Sequence, residues 1–377
     1  MRKKLQSIPS RRILRLGLRF VFVSAFMIGG LTLIWLNSQS ESDAIKDARR
    51  MLRYRGYDGP PRVAFLFLAR RNLPLDFLWG SFFEGAEEKT FSIYVHSEPG
   101  FAFDESTTRS SCFYGRELKN SIQVRWGEAS MIEAERLLLE AALEEPANQR
   151  FVLLSDSCVP LYNFSYIYNY VMASPKSFVD SFLDVKEKRY HPKMSPVIPK
   201  NKWRKGSQWV TLIRSHAEVI ADDGLILPVF EKYCKRRPPI DASKGILNNK
   251  LQKQHNCIPD EHYVQTLLTL KGLESELERR TLTYTVWNQS KTKTETRGWH
   301  PKTFSYADAR PEIIKAIKEI NHINYETEFR TEWCQANSTS VPCFLFARKF
   351  SRPAAMRLLS EGVVAPFDAS SLLEQTS

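Results

Sequence analysis

The sequence has none of the short motifs that identify the common metal and nucleotide enzymes. It contains no CxxC pair and no HExxH, and its 7 histidines are scattered, so no zinc-site spacing is present. GxGxxG, the P-loop and GxSxG are also missing, which argues against a dinucleotide-binding protein, a P-loop NTPase and an α/β-hydrolase. Internal repeats and low-complexity tracts do not occur. Function must therefore be inferred from longer patterns.

Acidic residues are absent before Glu41, although the whole chain has a formal net charge of +12. Much of the excess lies in a basic tail, residues 1–19, which argues against nucleic-acid binding by the folded part. The charge-free apolar run 20–36 follows, and we interpret it as a signal anchor, a single transmembrane helix. A cleaved signal peptide is the alternative. Since the positive flank precedes the run, we expect a cytoplasmic tail and a luminal remainder, as in a type II membrane protein.

The cysteines all follow the apolar run, on the predicted luminal side, where disulfides are permitted. They are 6 in number, and Cys334 with Cys343 and Cys234 with Cys257 are plausible pairs, although sequence alone leaves the connectivity open. Three N-glycosylation sequons suit the same compartment. They begin at Asn163, Asn288 and Asn337.

Beyond a polar stem, residues 37–61, apolar runs alternate with amphipathic segments. Runs apolar on both faces, separated by helical patterns, are typical of an α/β fold with a mostly parallel sheet covered on both sides. The predicted strands are 63–69, 92–97, 122–126, 150–157, 209–214, 282–287 and 342–350. The predicted helices begin near residues 75, 130, 215, 259 and 311; those at Ser130 (with Glu133) and Ser215 (with Glu218) have the spacing of a capping box.

Ligands of parallel α/β sheets bind beyond the carboxyl ends of the strands. The residues predicted at those ends are His96, Trp126 and Asp156. A basic cluster before the 209–214 strand is either a solvated loop or an anion site; its members are Lys200, Lys202, Arg204 and Lys205. An enzyme that uses nucleotide sugars must neutralise two phosphates, commonly with a metal bound to a DxD motif. No two aspartates here are two positions apart, so arginine and lysine would replace the metal.

The stretch CIPDEHYVQTLLTL, residues 257–270, raises a choice between capping and chemistry. Pro259 suits the first position of a helix. Asp260 and Glu261 would then lie at the positive end of the helix dipole, which stabilises an ionised carboxylate. The same property suits a general base.

Several blocks together carry a resemblance to a known family. They are YVHSEP, VRWGEASMIEAERLLLEAAL, FVLLSDSCVPLYNF, KWRKGSQWVTL, CIPDEHYVQTLL and CFLFARKF, between residues 62 and 350. In this order they resemble the plant branch of the Core-2/I-branching β-1,6-N-acetylglucosaminyltransferase family. The resemblance implies a Golgi type II membrane protein with a GT-A-like fold. It also implies an inverting glycosyltransferase that needs no metal or other cofactor, and a glycosyltransferase domain over 62–350 before a C-terminal tail, 351–377.

The resemblance also assigns roles to particular residues. The glutamate after a Pro-Asp pair, here Glu261, is expected to be the general base, and Lys349 to meet the donor diphosphate with Arg330 as its partner. His96 stands where the family has an aspartate that contacts uracil, which leaves the base contact open. EKRY, residues 187–190, resembles the acceptor-binding stretch, so Glu187 and Arg189 are expected near the acceptor. With Trp126, Asp156 and Lys205, these residues form the expected donor and acceptor sites.

We therefore expect a UDP-sugar donor and a glycan acceptor, with Asp260 as the helix cap and Glu261 as the base. Two alternatives stay open at the level of sequence. One is a membrane-tethered glycan-binding or scaffold protein that retains the fold without turnover. The other is a transferase that uses UDP-glucuronic acid or UDP-xylose rather than UDP-N-acetylglucosamine.

Overall fold

The computed structural model describes residue 57 and residues 59–186, 188–236, 256–287, 301–336 and 339–362. The predicted tail and anchor, most of the stem, and Glu187, Asn288 and Asn337 lie outside the described residues. Within the described part of the chain, no helix has the length and apolar character needed to cross a membrane.

The strands of the described residues form one large sheet and three smaller ones. In chain order they are β1 (Arg62–Leu68), β2 (Phe91–His96), β3 (Asn148–Ser155), β4 (Val159–Pro160), β5 (Ser177–Phe178), β6 (Thr211–Ile213), β7 (Leu277–Glu278), β8 (Thr283–Thr285), β9 (His322–Tyr325), β10 (Arg330–Trp333), β11 (Gln335–Ala336), β12 (Thr339–Ser340) and β13 (Phe346–Arg348). The α-helices are α1 (Asp76–Phe83), α2 (Ser130–Leu143), α3 (Phe164–Ala173), α4 (Arg214–Ala221), α5 (Leu227–Tyr233), α6 (Tyr263–Leu270), α7 (Pro311–Lys318) and α8 (Arg352–Ser360).

The six-stranded sheet has the order β2-β1-β3-β6-β5-β7. The long strand β1 pairs in parallel with β2 and with β3. Strand β6 is antiparallel to both of its neighbours, and β5 and β7 are again parallel. The predicted α/β class and mostly parallel sheet are therefore confirmed, with β6 as the antiparallel exception.

Strand β1 is apolar throughout because both of its faces are covered. Val63, Phe65 and Phe67 belong to one buried cluster, which includes Trp79 of α1. The alternate residues Ala64, Leu66 and Leu68 belong to a second cluster, which includes much of α2 and α6. Burial of each large apolar side chain stabilises the fold by about 1.5–3 kcal/mol, so the burial of β1 on both faces contributes strongly to the stability of the fold.

The end of the chain packs beside the sheet rather than within it. The predicted strand 342–350 is confirmed as β13, which lies between β4 and β8 in a separate three-stranded sheet. Residues 352–360 of the expected tail form α8, whose Ala354, Ala355 and Leu358 are buried in the first cluster. Two hairpins, β9–β10 and β11–β12, precede β13.

Other local predictions were wrong. Residues 122–126 form no strand; instead the Ile122 N–H donates to His96 Nε2 at 3.1 Å. Ser130 does not cap α2, because it is already helical and its Oγ accepts the Arg125 N–H at 3.0 Å. Helix α4 begins one residue early, at Arg214, which forms an ion pair with Glu218 at 3.1 Å in place of a capping box.

The structure confirms both disulfide pairs. Cys234 is bonded to Cys257, and Cys334 to Cys343. The second bridge closes the short loop that contains β11 and β12. Cys112 and Cys158 are free thiols, and burial raises the pKa of the Cys158 thiol.

Candidate active site

An open cavity of about 670 Å³ lies between the six-stranded sheet, the three-stranded sheet and the β9–β10 hairpin. Its walls come from the loop after β5, the KGSQW segment before β6, the turn before α6, and the ends of β8 and β13. The lining residues include Trp126, Asp180, Arg189, Lys205, Gly206, Trp209, Asp260, Glu261, Thr285, Tyr325, Arg348 and Lys349.

Glu261 lies in this cavity at the end of a single 3₁₀ turn, Pro259–Glu261. Pro259 takes the first position of that turn, as predicted, but the α-helix begins only at Tyr263. Glu261 Oε2 accepts a hydrogen bond from Arg189 Nη1 at 2.5 Å and is 3.9 Å from Lys205 Nζ. The structure therefore brings together the expected base, one expected acceptor residue and one expected donor residue.

The backbone around Glu261 is fixed by Gly206. The Gly206 N–H donates to the Glu261 carbonyl at 2.9 Å. A Cβ at position 206 would lie 1.7 Å from the Asp180 carbonyl oxygen and 2.9 Å from Gln265 Nε2. Since neither distance is compatible with a side chain, only glycine permits this close approach. The GS pair of the KGSQW segment thus positions the turn that carries the base.

His262, directly after Glu261, is a buried structural residue that the sequence reasoning missed. Its Nδ1–H donates to the Arg204 carbonyl at 2.7 Å, and its ring stacks on Trp203 at 4.4 Å between centroids. Burial, followed by the nearby Arg189 charge, lowers the pKa of His262 to about 3, so the ring stays neutral. Asp184 connects Trp203 to Arg189, because it accepts the Trp203 indole N–H at 3.2 Å and the Arg189 backbone N–H at 2.8 Å.

Asp260 has a different environment from that of its neighbour Glu261. The side chain is 6% exposed, and among the described residues its Oδ1 has no hydrogen-bond partner. Burial, followed by the charge of Glu261, raises the pKa of Asp260 to about 7. Its side chain makes no capping hydrogen bond to α6, whose N-cap position is His262. The prediction that Asp260 is an ionised helix cap was therefore wrong.

Two adjacent cations, Arg348 and Lys349, line the wall formed by the end of β13. The Arg348 guanidinium lies over the Trp209 ring, 4.3 Å from its centroid. Burial lowers the pKa of both side chains, and the charge of Arg348 lowers that of Lys349 further. Asp156 lies close enough that its charge raises the pKa of Lys349, against these effects. It also forms an ion pair with Arg70 at 3.6 Å.

Arg330 lies outside the residues that line the cavity. It forms ion pairs with Glu328 and Glu332, donates to the Ser181 carbonyl at 3.2 Å, and covers the Tyr325 ring at 4.0 Å. Tyr325 in turn donates its hydroxyl to Asp180 at 2.6 Å. Through these contacts Arg330 connects the β9–β10 hairpin to the segment after β5.

The remaining predicted residues are distributed around the cavity. His96 is 1% exposed and lies outside the lining; burial lowers its pKa to about 4. Trp126 lines the cavity, with the Arg236 guanidinium 4.0 Å from its ring centroid. Within the basic cluster, Lys205 lines the cavity, whereas Arg204 is paired with Glu274 at 2.8 Å. Asn163 is the N-cap of α3, where its Oδ1 accepts the Tyr166 N–H at 2.9 Å.

Comparison with known proteins identifies the family to which this chain belongs. The model of the family described as Core-2/I-Branching enzyme matches residues 63–318, which contain β1, the KGSQW segment and Glu261. The chain belongs to the Core-2/I-branching enzyme family. It is also 55% identical over 325 residues to Glycosyltransferase BC10 of Oryza sativa subsp. japonica, covering 83% of this chain and 80% of the rice protein. This Core-2/I-branching family member is a glycosyltransferase.

The polar groups of the cavity are of both signs but are not arranged as a metal site. Among residues 57–362 that the structure describes, no group of three or more His, Cys, Asp and Glu side chains is placed to hold a metal ion. The cations Arg189, Lys205, Arg348 and Lys349 share the cavity with the carboxyl groups of Asp180, Asp260 and Glu261.

Proposed function

We propose that the protein transfers a sugar from a UDP-sugar to a glycan hydroxyl, with inversion and without a metal ion. The observation that carries the proposal is the position of Glu261, whose carboxylate is held by Arg189 at 2.5 Å in a cavity that Lys349 also lines. A base and a cation on two walls of one cavity meet the two needs of the reaction, which are proton removal and neutralisation of the leaving group.

In the proposed reaction, the acceptor hydroxyl enters beside Glu261 and displaces Arg189 from the carboxylate. Glu261 takes the hydroxyl proton as the oxygen attacks the anomeric carbon. The bond between that carbon and the β-phosphate oxygen breaks on the opposite face, so the configuration inverts. UDP leaves with the electron pair, and Lys349 stabilises its developing negative charge.

Arg330 enters this proposal only in a secondary role. Its guanidinium is engaged by Glu328 and Glu332, so it supports the cavity wall through the hairpin unless the donor draws it inward. His96 lies outside the lining, and we do not assign it a contact with the uracil base. The cellular setting that we propose, a Golgi membrane with the catalytic domain in the lumen, rests on the anchor predicted from residues 20–36.

The proposal is tested by UDP release from the full-length, detergent-solubilised protein. The donors are UDP-N-acetylglucosamine, UDP-glucuronic acid and UDP-xylose, each with mixed glycan acceptors, in EDTA and in added Mn²⁺. We expect acceptor-dependent release with one donor, equal in both media. Binding of UDP without release from any donor would favour the glycan-binding or scaffold alternative. Release that EDTA abolishes would contradict the metal-free mechanism while leaving the transferase assignment intact.

A further inference from the structure

Three enclosed polar atoms without hydrogen-bond partners occur on side chains that line the cavity. Among the described residues they are Asp260 Oδ1, Thr285 Oγ1 and Arg348 Nε. A buried polar atom that lacks a partner costs about 1–3 kcal/mol, so native proteins rarely retain one without a reason. Polar atoms left unsatisfied beside an open cavity indicate that a polar ligand completes the site.

The three side chains are neighbours, and we call them the Asp260–Thr285–Arg348 cluster. Strands β8 and β13 are parallel, and Arg348 lies opposite Thr285 in their register. Asp260 and Arg348 are close enough that each charge affects the pKa of the other group. The Arg348 guanidinium stacks on the Trp209 ring, 4.3 Å from its centroid. The cluster is therefore built on one strand pair and one fixed turn.

The chemistry of the cluster suits adjacent hydroxyl groups. A guanidinium only donates hydrogen bonds, a carboxylate only accepts them, and a threonine hydroxyl does both. Sugar hydroxyl groups donate and accept at once, so they can satisfy all three side chains. An ionised phosphate only accepts hydrogen bonds, so it would leave the accepting oxygen of Asp260 without a donor.

The place of the cluster identifies which sugar it meets. Asp260 precedes the proposed base Glu261, and Arg348 precedes Lys349, which we assign to the diphosphate. In an inverting displacement, the transferred sugar lies between the attacking hydroxyl and the leaving phosphate. We infer that the Asp260–Thr285–Arg348 cluster binds hydroxyl groups of the transferred sugar and determines which UDP-sugar is accepted. This inference rests on the proposed function.

The test compares affinities of full-length protein for UDP and for the UDP-sugar that it accepts, by calorimetric titration without acceptor. Thr285→Val removes one hydroxyl and keeps the side-chain shape. We expect it to weaken UDP-sugar binding by about threefold to tenfold, the effect of one hydrogen bond, and to leave UDP binding unchanged. Asp260→Asn and Arg348→Gln are expected to lower the same selectivity for UDP-sugar over UDP.

Matched controls separate recognition from general damage. One control is Thr331→Val, at an exposed position of β10. The other is Arg352→Gln, which removes a guanidinium that covers the Phe77 ring. Neither residue lines the cavity, so neither variant should change the ratio of the two affinities.

A second readout uses mono-deoxy analogues of the accepted UDP-sugar. In the wild type, removal of the recognised hydroxyl should slow turnover, and in Thr285→Val or Asp260→Asn the same removal should have little further effect. Equal loss of UDP and UDP-sugar affinity in Arg348→Gln would make Arg348 a phosphate contact and overturn the inference. An unchanged affinity ratio in Thr285→Val and Asp260→Asn, in an enzyme that still turns over, would overturn it too. Absence of UDP binding by the wild type would instead identify a failure of the proposed function itself.

Discussion

At the scale of the residue, two adjacent carboxyl groups have opposite environments. Glu261 faces the cavity and is held by Arg189 and Lys205, whereas Asp260 is enclosed and keeps one oxygen without a partner among the described residues. Helix-start spacing alone does not separate the two residues, and only the family resemblance distinguished Glu261 as the expected base. Within the single 3₁₀ turn Asp260 is buried, whereas Glu261 remains partly exposed.

Glu261→Gln tests the role of the base. Because the amide cannot take the acceptor proton, we expect UDP release to fall by about 10²–10⁴-fold, the usual contribution of a positioned general base. UDP affinity should stay within a fewfold of wild type, since the donor phosphate is assigned to the opposite wall. The control is Glu319→Gln, a carboxylate near the end of α7 whose side chain is 65% exposed. Transfer at a near-normal rate in Glu261→Gln would assign the base to another group.

Asp260→Asn tests the buried carboxyl group through pH. Its folded pKa, about 7, is raised above the ordinary value of 3.8, so the folded protein retains a proton that the unfolded chain releases between these two values. The contribution of Asp260 to the stability of the wild type therefore falls as pH rises from about 4 to about 7. Above pH 7 the destabilisation by the ionised carboxylate is constant.

We expect Asp260→Asn to match the wild type near pH 4 and to unfold about 2–6 °C higher at pH 8, as measured by thermal unfolding. A variant that is equally destabilised at both pH values would show that the carboxylate makes a stabilising contact. This expectation reverses the one drawn from sequence, in which loss of a cap would lower stability at neutral pH.

At the scale of the element, the long apolar runs predicted β1, β2 and β3 because continuous burial leaves a clear pattern in sequence. The 122–126 segment alternates apolar and polar residues, as a strand can, but it packs as a loop in which the Ile122 N–H donates to His96. Both predicted capping boxes were wrong. Ser130 is already the first residue of α2, and Ser215 follows Arg214, the first residue of α4. Local spacing therefore predicted five of the eight described α-helices, gave the wrong capping side chains, and missed α3, α5 and α8.

The turn that carries Glu261 depends on an element that spacing alone does not reveal. Gly206 lies so close to Asp180 that a Cβ would overlap the carbonyl, at 1.7 Å. We expect Gly206→Ala to lose most of its activity and to unfold at clearly lower temperature, because the KGSQW segment and the Glu261 turn must move apart.

Gly85→Ala is the matched control for this variant. Its φ is +73°, but no atom lies within 4 Å of the added Cβ, so it carries only the backbone cost of about 1 kcal/mol. Thermal unfolding and UDP release of both variants decide the question. Equal effects of the two substitutions would mean that the close approach at Gly206 relaxes without cost.

At the scale of the whole molecule, the sequence predicted the family, the α/β fold and both disulfides. It also predicted that Glu261, Arg189, Lys205, Trp126 and Lys349 share one site. The rest depended on contacts that are distant in sequence. The contact of Arg330 with the Ser181 carbonyl and the cluster around Arg348 join segments that are far apart in the chain, which no local pattern contains.

The last prediction concerns the orientation of the whole chain in a membrane. Asn163 uses its Oδ1 to cap α3, which leaves its Nδ2, the atom that carries an N-linked glycan, without a role in that capping bond. If the region after residue 36 is luminal, full-length protein synthesised with microsomes should gain glycans that an endoglycosidase removes. Asn163→Gln should lose one glycan. Asn324→Gln, which alters no sequon, should lose none.

Protease added outside sealed microsomes should remove only the basic tail, because the positive flank of the apolar run is expected to stay in the cytosol. Detergent-opened microsomes are the control, since there the protease reaches both sides of the membrane. Complete digestion in sealed microsomes, with no glycan on any sequon, would place the cavity in the cytosol. The acceptor would then have to be a cytosolic molecule, so this measurement constrains the substrate as well as the topology.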